Sequence, residues 1–188
     1  MTEDEARERI LSAAEELYYR KGYAAVGMDE LRSAAGVSLR RLYALFPAKS
    51  DIVAAVLARK HAEWESGLSG AVSDAGDDPR ARILAVYGYL ENWFCADDFR
   101  GCAFINAFGE LGGTNVEVAE IVRAHKASFQ EYMAGLVADT GAPPALAAQL
   151  SILAEGAQST AAISADPAVA AQARGAAEVL IDAAFARA

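Results

Sequence analysis

Apolar residues along most of this chain recur at spacings of three and four, the period of a helix face, and strand-like alternation is missing. From Glu3 to Lys21, the residues Ile10, Ala13, Ala14, Leu17 and Tyr18 form one stripe. Glu3, Asp4 and Glu5 stand at the positive end of the helix dipole, so the pattern predicts a first helix closed by Gly22. After a loop from Tyr23 to Gly27, Met28, Leu31, Ala34 and Ala35 predict a second helix, and Leu39, Leu42, Tyr43 and Phe46 a third. Gly36 between them can take the positive φ that a tight helix end requires, and Pro47 stops the third. A fourth helix is expected from the Pro47-Ala48-Lys49-Ser50-Asp51 segment to about Leu68, with Ile52, Val53, Val56, Leu57, His61 and Trp64 inward. About twenty residues at roughly 1.5 Å each would make a strut about 30 Å long, touching the N-terminal unit at one end and the body at the other.

Ser66 to Asp78, rich in Gly, Ser and Asp, reads as a loop. Asp78-Pro79 then pairs an N-cap with a proline at the first helical position. The fifth helix carries Ile83, Val86, Tyr87, Leu90, Trp93 and Phe94 and breaks at Asp97-Asp98; the sixth begins around Arg100 to Asn106 and ends at Gly112-Gly113. Thr114 and Glu117 have capping-box spacing ahead of a seventh helix whose stripe includes Val118, Val122, His125, Phe129, Met133 and Val137. Gly141, Pro143 and Pro144 stop it. Two alanine-rich helices close the chain: one from Pro144 to Ser164, and one after Asp166-Pro167. The fold class is therefore all-α, with about nine helices. Leu150, Leu153, Ala157 and Ala161 on the eighth helix, with Val169, Ala173, Ala176, Leu180 and Ala183 on the ninth, make a coiled-coil-like seam of small residues. Neither helix buries much alone. The seam is expected to form the interface of a homodimer, the alternative being a hairpin packed only on its own core.

Two short helices joined at Gly36 have the layout of a helix-turn-helix. Arg40-Arg41 lies in the first turn of the second of these, beside Ser38, where such proteins meet base edges in the major groove. Ala34-Ala35-Gly36-Val37-Ser38, Leu42-Tyr43, Phe46 and Lys49 stand in the order found in the TetR family of bacterial regulators, whose DNA-binding domain the stretch from Ile10 to Leu57 resembles. The segment Arg100-Gly101-Cys102-Ala103-Phe104-Ile105-Asn106 is also similar to the start of the sixth helix in many such proteins. The resemblance implies a DNA-binding domain over residues 1–48, a ligand-binding and dimerisation domain over 49–188, and a regulator, in most relatives a repressor, that leaves a palindromic operator when an effector displaces the fourth helix. It also implies DNA contacts at Gly27, Met28, Ser38, Leu39, Arg40, Arg41, Tyr43, Ala44 and Lys49, with Ser38, Tyr43 and Lys49 on phosphates. Two departures matter. Val26 and Gly27 lack the cap hydroxyl usual in the family, so backbone N–H groups must serve there. Arg40 and Arg41 replace the commoner Gly and Thr or Ser, and because Arg grips guanine at O6 and N7, G-containing half-sites are expected, with one of the two free to act as a phosphate clamp.

A net charge of −9 at first argues against a nucleic-acid partner. Its distribution answers the objection: residues 1–50 hold eight basic and eight acidic side chains, whereas nine basic face eighteen acidic beyond them. The acidic body should be repelled by phosphates, leaving the N-terminal face as the contact surface. No apolar run reaches the roughly 18 residues of a membrane span. The acidic start has no signal-peptide pattern, and two cysteines, Cys95 and Cys102, suit a reducing compartment, so a cytoplasmic protein is expected. No cofactor or metal site is legible. The cysteines are not in CxxC spacing, and the two histidines, His61 and His125, have no metal-ligand pattern. The absence of GxSxG, HExxH or a phosphate loop argues against an enzyme, and a redox role for the cysteines is a minor alternative. Trp64, Tyr87, Leu90, Trp93, Phe94, Phe104, Phe108 and Phe129, with Asn106, Glu110 and His125 as polar anchors, suggest a pocket for a small, largely apolar or aromatic effector. The rival reading is a helical protein-protein adaptor without DNA binding.

Overall fold

The computed structural model describes residues 1–186, and these form helices without a strand among them. In order they are α1 (Glu3–Lys21), α2 (Met28–Ala35), α3 (Leu39–Leu45), α4 (Lys49–Asp74), α5 (Pro79–Phe94), α6 (Ala103–Leu111), α7 (Val116–Ala138), α8 (Ala145–Ser164) and α9 (Val169–Phe185). The all-α expectation holds. Two compact units emerge: Met1–Ala62 with Ala103–Ala124, and Glu63–Cys102 with His125–Ala188. Residue 49, the boundary expected from sequence, lies inside the first unit, because the N-terminal half of α4 is counted with α1 to α3. No described helix is long and apolar enough to cross a membrane.

In the first unit α1 packs on both α2 and α3. The chain starts α1 through a capping box: the Thr2 hydroxyl accepts from the Glu5 N–H at 3.1 Å and the Glu5 carboxylate accepts from the Thr2 N–H at 2.7 Å. Ile10, Ala14, Leu17 and Tyr18 bury the stripe read from sequence. Gly36 takes the left-handed conformation, φ 65 and ψ 36, so its N–H closes α2 while the chain turns into α3. Arg59 and Lys60 of α4 bind carboxylates of α1: Arg59 reaches Glu8 at 2.7 Å and Glu15 at 2.8 Å, and Lys60 also pairs with Glu15.

In the second unit α5 packs on α8 and α9. Tyr87 is fully buried there and donates its hydroxyl to the Leu150 carbonyl at 2.8 Å. Arg82 pairs with Asp139 at 3.1 Å, and Lys126 with Glu155 at 2.5 Å.

Three sequence expectations need correction. Residues 66–74 continue α4 rather than forming a loop, since Leu68 and Val72, one turn apart, are both buried. At Gly67 the Tyr89 hydroxyl comes within 2.8 Å of where a Cβ would stand, so that glycine serves close packing and not a turn. The N-cap of α7 is Asn115, whose Oδ1 accepts from the Val118 N–H at 3.1 Å; Thr114 instead donates to the Leu111 carbonyl at 3.3 Å. The expected seam is also shifted. On α9 the buried face is Ala170, Ala173, Ala177 and Ile181, while Ala176 and Ala183 are exposed and Val169 and Leu180 half-buried. On α8, Leu150, Ala157 and Ala161 are buried within this chain and Leu153 is half-buried, so most of that set belongs to the chain's own core. The large apolar side chains left exposed on these two helices are Ile152, Ile163, Val179 and Phe185, at 71%, 87%, 68% and 39% exposure.

Tyr87→Phe removes a buried O–H···O=C bond and should cost about 1 kcal/mol in urea denaturation. Tyr18→Phe, at a buried hydroxyl with no hydrogen-bond partner among the described residues, should leave stability almost unchanged in the same assay.

Candidate nucleic-acid interface

Helix α3 has seven residues, too few to persist by itself. Its orientation comes from burial: Leu42 and Phe46 are at 0% and 1% exposure, with Leu31 and Val37 also buried in the same unit. Arg7 of α1 lies over the Phe46 ring, 4.5 Å from its centroid, and covers that end. The opposite face therefore points to solvent, and it holds Ser38, Leu39, Arg40, Tyr43 and Ala44. Tyr43 is 46% exposed, which removes the reading of this ring as core. Ser38 caps the helix by accepting from the Arg41 N–H at 3.2 Å, and its own O–H remains available to donate to a phosphate. Gly27 caps α2 without a side-chain bond and is exposed, and Met28 beside it is half-buried, so the α2 start offers backbone N–H groups as foreseen.

The two arginines part company. Arg40 is exposed. Arg41, one residue and about 100° further round the helix, folds back: its Nη2 donates to the carbonyls of Met1 at 3.2 Å and Thr2 at 2.6 Å, and its Nε is buried. The expectation of two adjacent guanidinium groups facing outward is thus corrected to one. The cause is local geometry, since the flank of α3 that carries residue 41 meets carbonyls at the start of α1. The other basic residues near α3 are similarly engaged. Arg32 pairs with Asp29 at 3.0 Å and Lys21 with Glu30 at 2.5 Å, which also neutralises both acids of α2. Lys49 donates to the Ala24 carbonyl at 3.2 Å; burial lowers its pKa, and the nearby Glu110 carboxylate works in the opposite direction.

The loop between α1 and α2 is held from both sides. Glu110 of α6 accepts from the Ala24 N–H at 2.7 Å while Lys49 of α4 takes the Ala24 C=O. Tyr23 adds a bond to the Ala103 carbonyl at 3.2 Å. The carboxylate can approach because Gly22, at φ 88, has no Cβ, and an added one would stand 2.9 Å from the Glu110 oxygens. Sequence reasoning missed this clamp. Its only mark in the chain is a glycine after α1, already accounted for as a helix stop.

The residues expected to line an effector pocket divide between the units. Phe104, Asn106, Phe108 and Glu110 sit on α6 in the first, where Phe108 is 44% exposed and Glu110 grips Ala24. In the second unit Tyr87, Leu90, Phe94 and Phe129 are core. The half-buried Trp64 meets Trp93 at 5.6 Å, Phe129 at 6.0 Å and the buried His125 at 6.2 Å between ring centroids. Two rings outside the expected set join them: Tyr89 at 5.2 Å from Trp64, and Phe99 at 5.2 Å from Trp93. Phe99 follows Asp97-Asp98, and that acidic pair reads in sequence as a plain break. Cys95 is exposed and Cys102 buried, both unbridged.

Residues 10–56 match the family model for bacterial regulatory proteins of the tetR family. Over 92 residues the chain is 37% identical to the HTH-type transcriptional activator FasR of Mycolicibacterium smegmatis, covering 47% of this chain and 42% of that protein. Over 111 residues it is 30% identical to the HTH-type transcriptional repressor NemR of Escherichia coli, covering 58% and 56%. These matches span about half the length of the curated relatives. Likeness to a solved TetR transcriptional regulator from Streptomyces avermitilis is end to end: 33% identity, a TM-score of 0.82, 96% of this chain and 98% of that one.

Gly22→Ala should lower stability by about 1 to 3 kcal/mol, because φ 88 is strained for any L side chain and the Glu110 contact is lost. Gly27→Ala, at φ −97 with open space around it, should stay within about 1 kcal/mol of wild type; thermal melts of the two variants check the contrast.

Proposed function

The chain belongs to the TetR family and is a transcriptional regulator with an N-terminal DNA-binding domain, and from this we propose that it is a homodimeric repressor of a palindromic operator, released by a small molecule. The observation that carries the operator reading is the outward face of α3, where a capped, half-apolar surface is led by Arg40. Two such helices related by a two-fold axis and about 34 Å apart would enter successive major grooves, and occupancy there would exclude polymerase.

The dimer surface in this proposal is not the buried seam but the exposed apolar positions of α8 and α9. Ile152, Ile163 and Val179 are costly in water and cheap against a second copy. The effector site is assigned to the second unit, around the half-buried Trp64 and Trp93 with His125 as the polar group. The ligand is a small, largely apolar or aromatic molecule. Helix α4 carries Trp64 and, earlier in its length, Lys49, Arg59 and Lys60. A ligand that shifts α4 would strain the ion pairs to Glu8 and Glu15 and the Lys49 bond to the α1–α2 loop. Release requires that the ligand prefer the non-binding state, typically by about 1 to 3 kcal/mol.

Gel shifts on an inverted repeat taken from DNA flanking the coding region test the operator reading. Affinity should fall steeply as salt rises, with the slope set by the number of phosphates contacted, and binding to no duplex at low salt would overturn it. Combined Ile152→Glu and Val179→Glu should shift the protein from dimer to monomer in sedimentation velocity and weaken operator binding; an unchanged dimer would refute the assigned surface.

A further inference from the structure

We infer that α3 reads a two-base-pair element through Leu39 and Arg40: Arg40 binds guanine at O6 and N7, and Leu39 packs on the C5-methyl of thymine in the adjacent pair. The inference rests on the operator-binding reading and deepens it. Leu39 is 38% exposed in the first turn of α3, although Leu42 on the same helix and Phe46 at its C-cap are almost wholly buried. More than a third of this apolar side chain is thus left in water. Against the floor of a major groove it has one apolar partner, since among the four bases only thymine presents a methyl group there.

Arg40 follows it in sequence and is exposed on the same outward face, so the inference assigns the two side chains to neighbouring base pairs. Arg41 is outside the reading set. Its guanidinium is bound to the carbonyls of Met1 and Thr2 and its Nε is buried, so reaching a base would mean breaking both bonds. Arg32 and Lys49, the other cations from α2 to the start of α4, are spent on Asp29 and on the Ala24 carbonyl. Among these cations Arg40 is thus the one placed to read a base, Leu39 supplies an apolar contact beside it, and the half-site is predicted to contain G next to T.

The test selects duplexes from a random-sequence pool with the full chain and with Leu39→Ala, Arg40→Ala and Arg41→Ala, each checked for helical content. Thymine in the winning site is then replaced by deoxyuridine, which removes only the methyl. Wild type should select G and T in adjacent base pairs and lose about four-fold in affinity on that replacement, the worth of one buried methyl group. Leu39→Ala should bind the two duplexes equally. Arg40→Ala should lose the G preference by about five-fold or more, whereas Arg41→Ala should keep the wild-type preference. A selected site indifferent to the methyl, or a G preference that disappears with Arg41→Ala and survives Arg40→Ala, overturns the inference while operator binding stands. Failure of the wild-type chain to enrich any duplex overturns operator binding, and the inference with it.

Discussion

The outward face of α3 depends on the burial of two side chains, Leu42 within the helix and Phe46 at its C-cap, because the helix is too short to stand by itself. Their burial sets the rotation of α3 about its axis. Once that rotation is set, residues 38, 39, 40, 43 and 44 face outward without further instruction, and residue 41 is carried toward the start of α1. Gly36 closes α2 in the left-handed conformation and Ser38 caps the start of α3, which sets the two ends of the turn.

The same economy governs charge. A chain at −9 can approach DNA only if its few cations are placed well, and most of those near α3 are tied to their own protein. Arg32 and Lys21 cancel Asp29 and Glu30, which lifts the repulsion those acids would otherwise exert on phosphates. Arg41 and Lys49 spend donors on carbonyls of Met1, Thr2 and Ala24. Binding then rests on a small number of contacts, and the shape and setting of the helix matter more than a broad basic patch. The clamp by Glu110 and Lys49 on the α1–α2 loop adds a route by which α4 and α6 influence this setting.

Much of this was legible in the chain because local signals agreed with one another. Gly36 between two apolar stripes, Asp78-Pro79 at a helix start and the acidic first turn of α1 each have one physical meaning, and the structure uses each that way. Where composition stood in for packing, the reading failed. Gly67 and Gly70 made residues 66–74 look like a loop, yet Leu68 and Val72 find a core and hold the helix. The α9 face is offset because alanines line nearly every side of that helix, and alanine carries too little side chain to mark a direction. Arg41 shows the deeper limit: its partners are backbone carbonyls 39 and 40 residues away, and a carbonyl has no signature in sequence. Glu110, 86 residues from the amide it binds, was hidden for the same reason.

The most direct test of this division of labour between Arg40 and Arg41 is solution NMR of the arginine side-chain Nε–H resonances, assigned with Arg40→Lys and Arg41→Lys, while the full chain is titrated with a duplex it binds. The Arg40 resonance should move on complex formation, and that of Arg41 should be protected from solvent exchange before DNA is added and stay in place afterwards. Movement of the Arg41 signal with Arg40 unaffected, or rapid exchange at Arg41 in the free protein, would contradict the account.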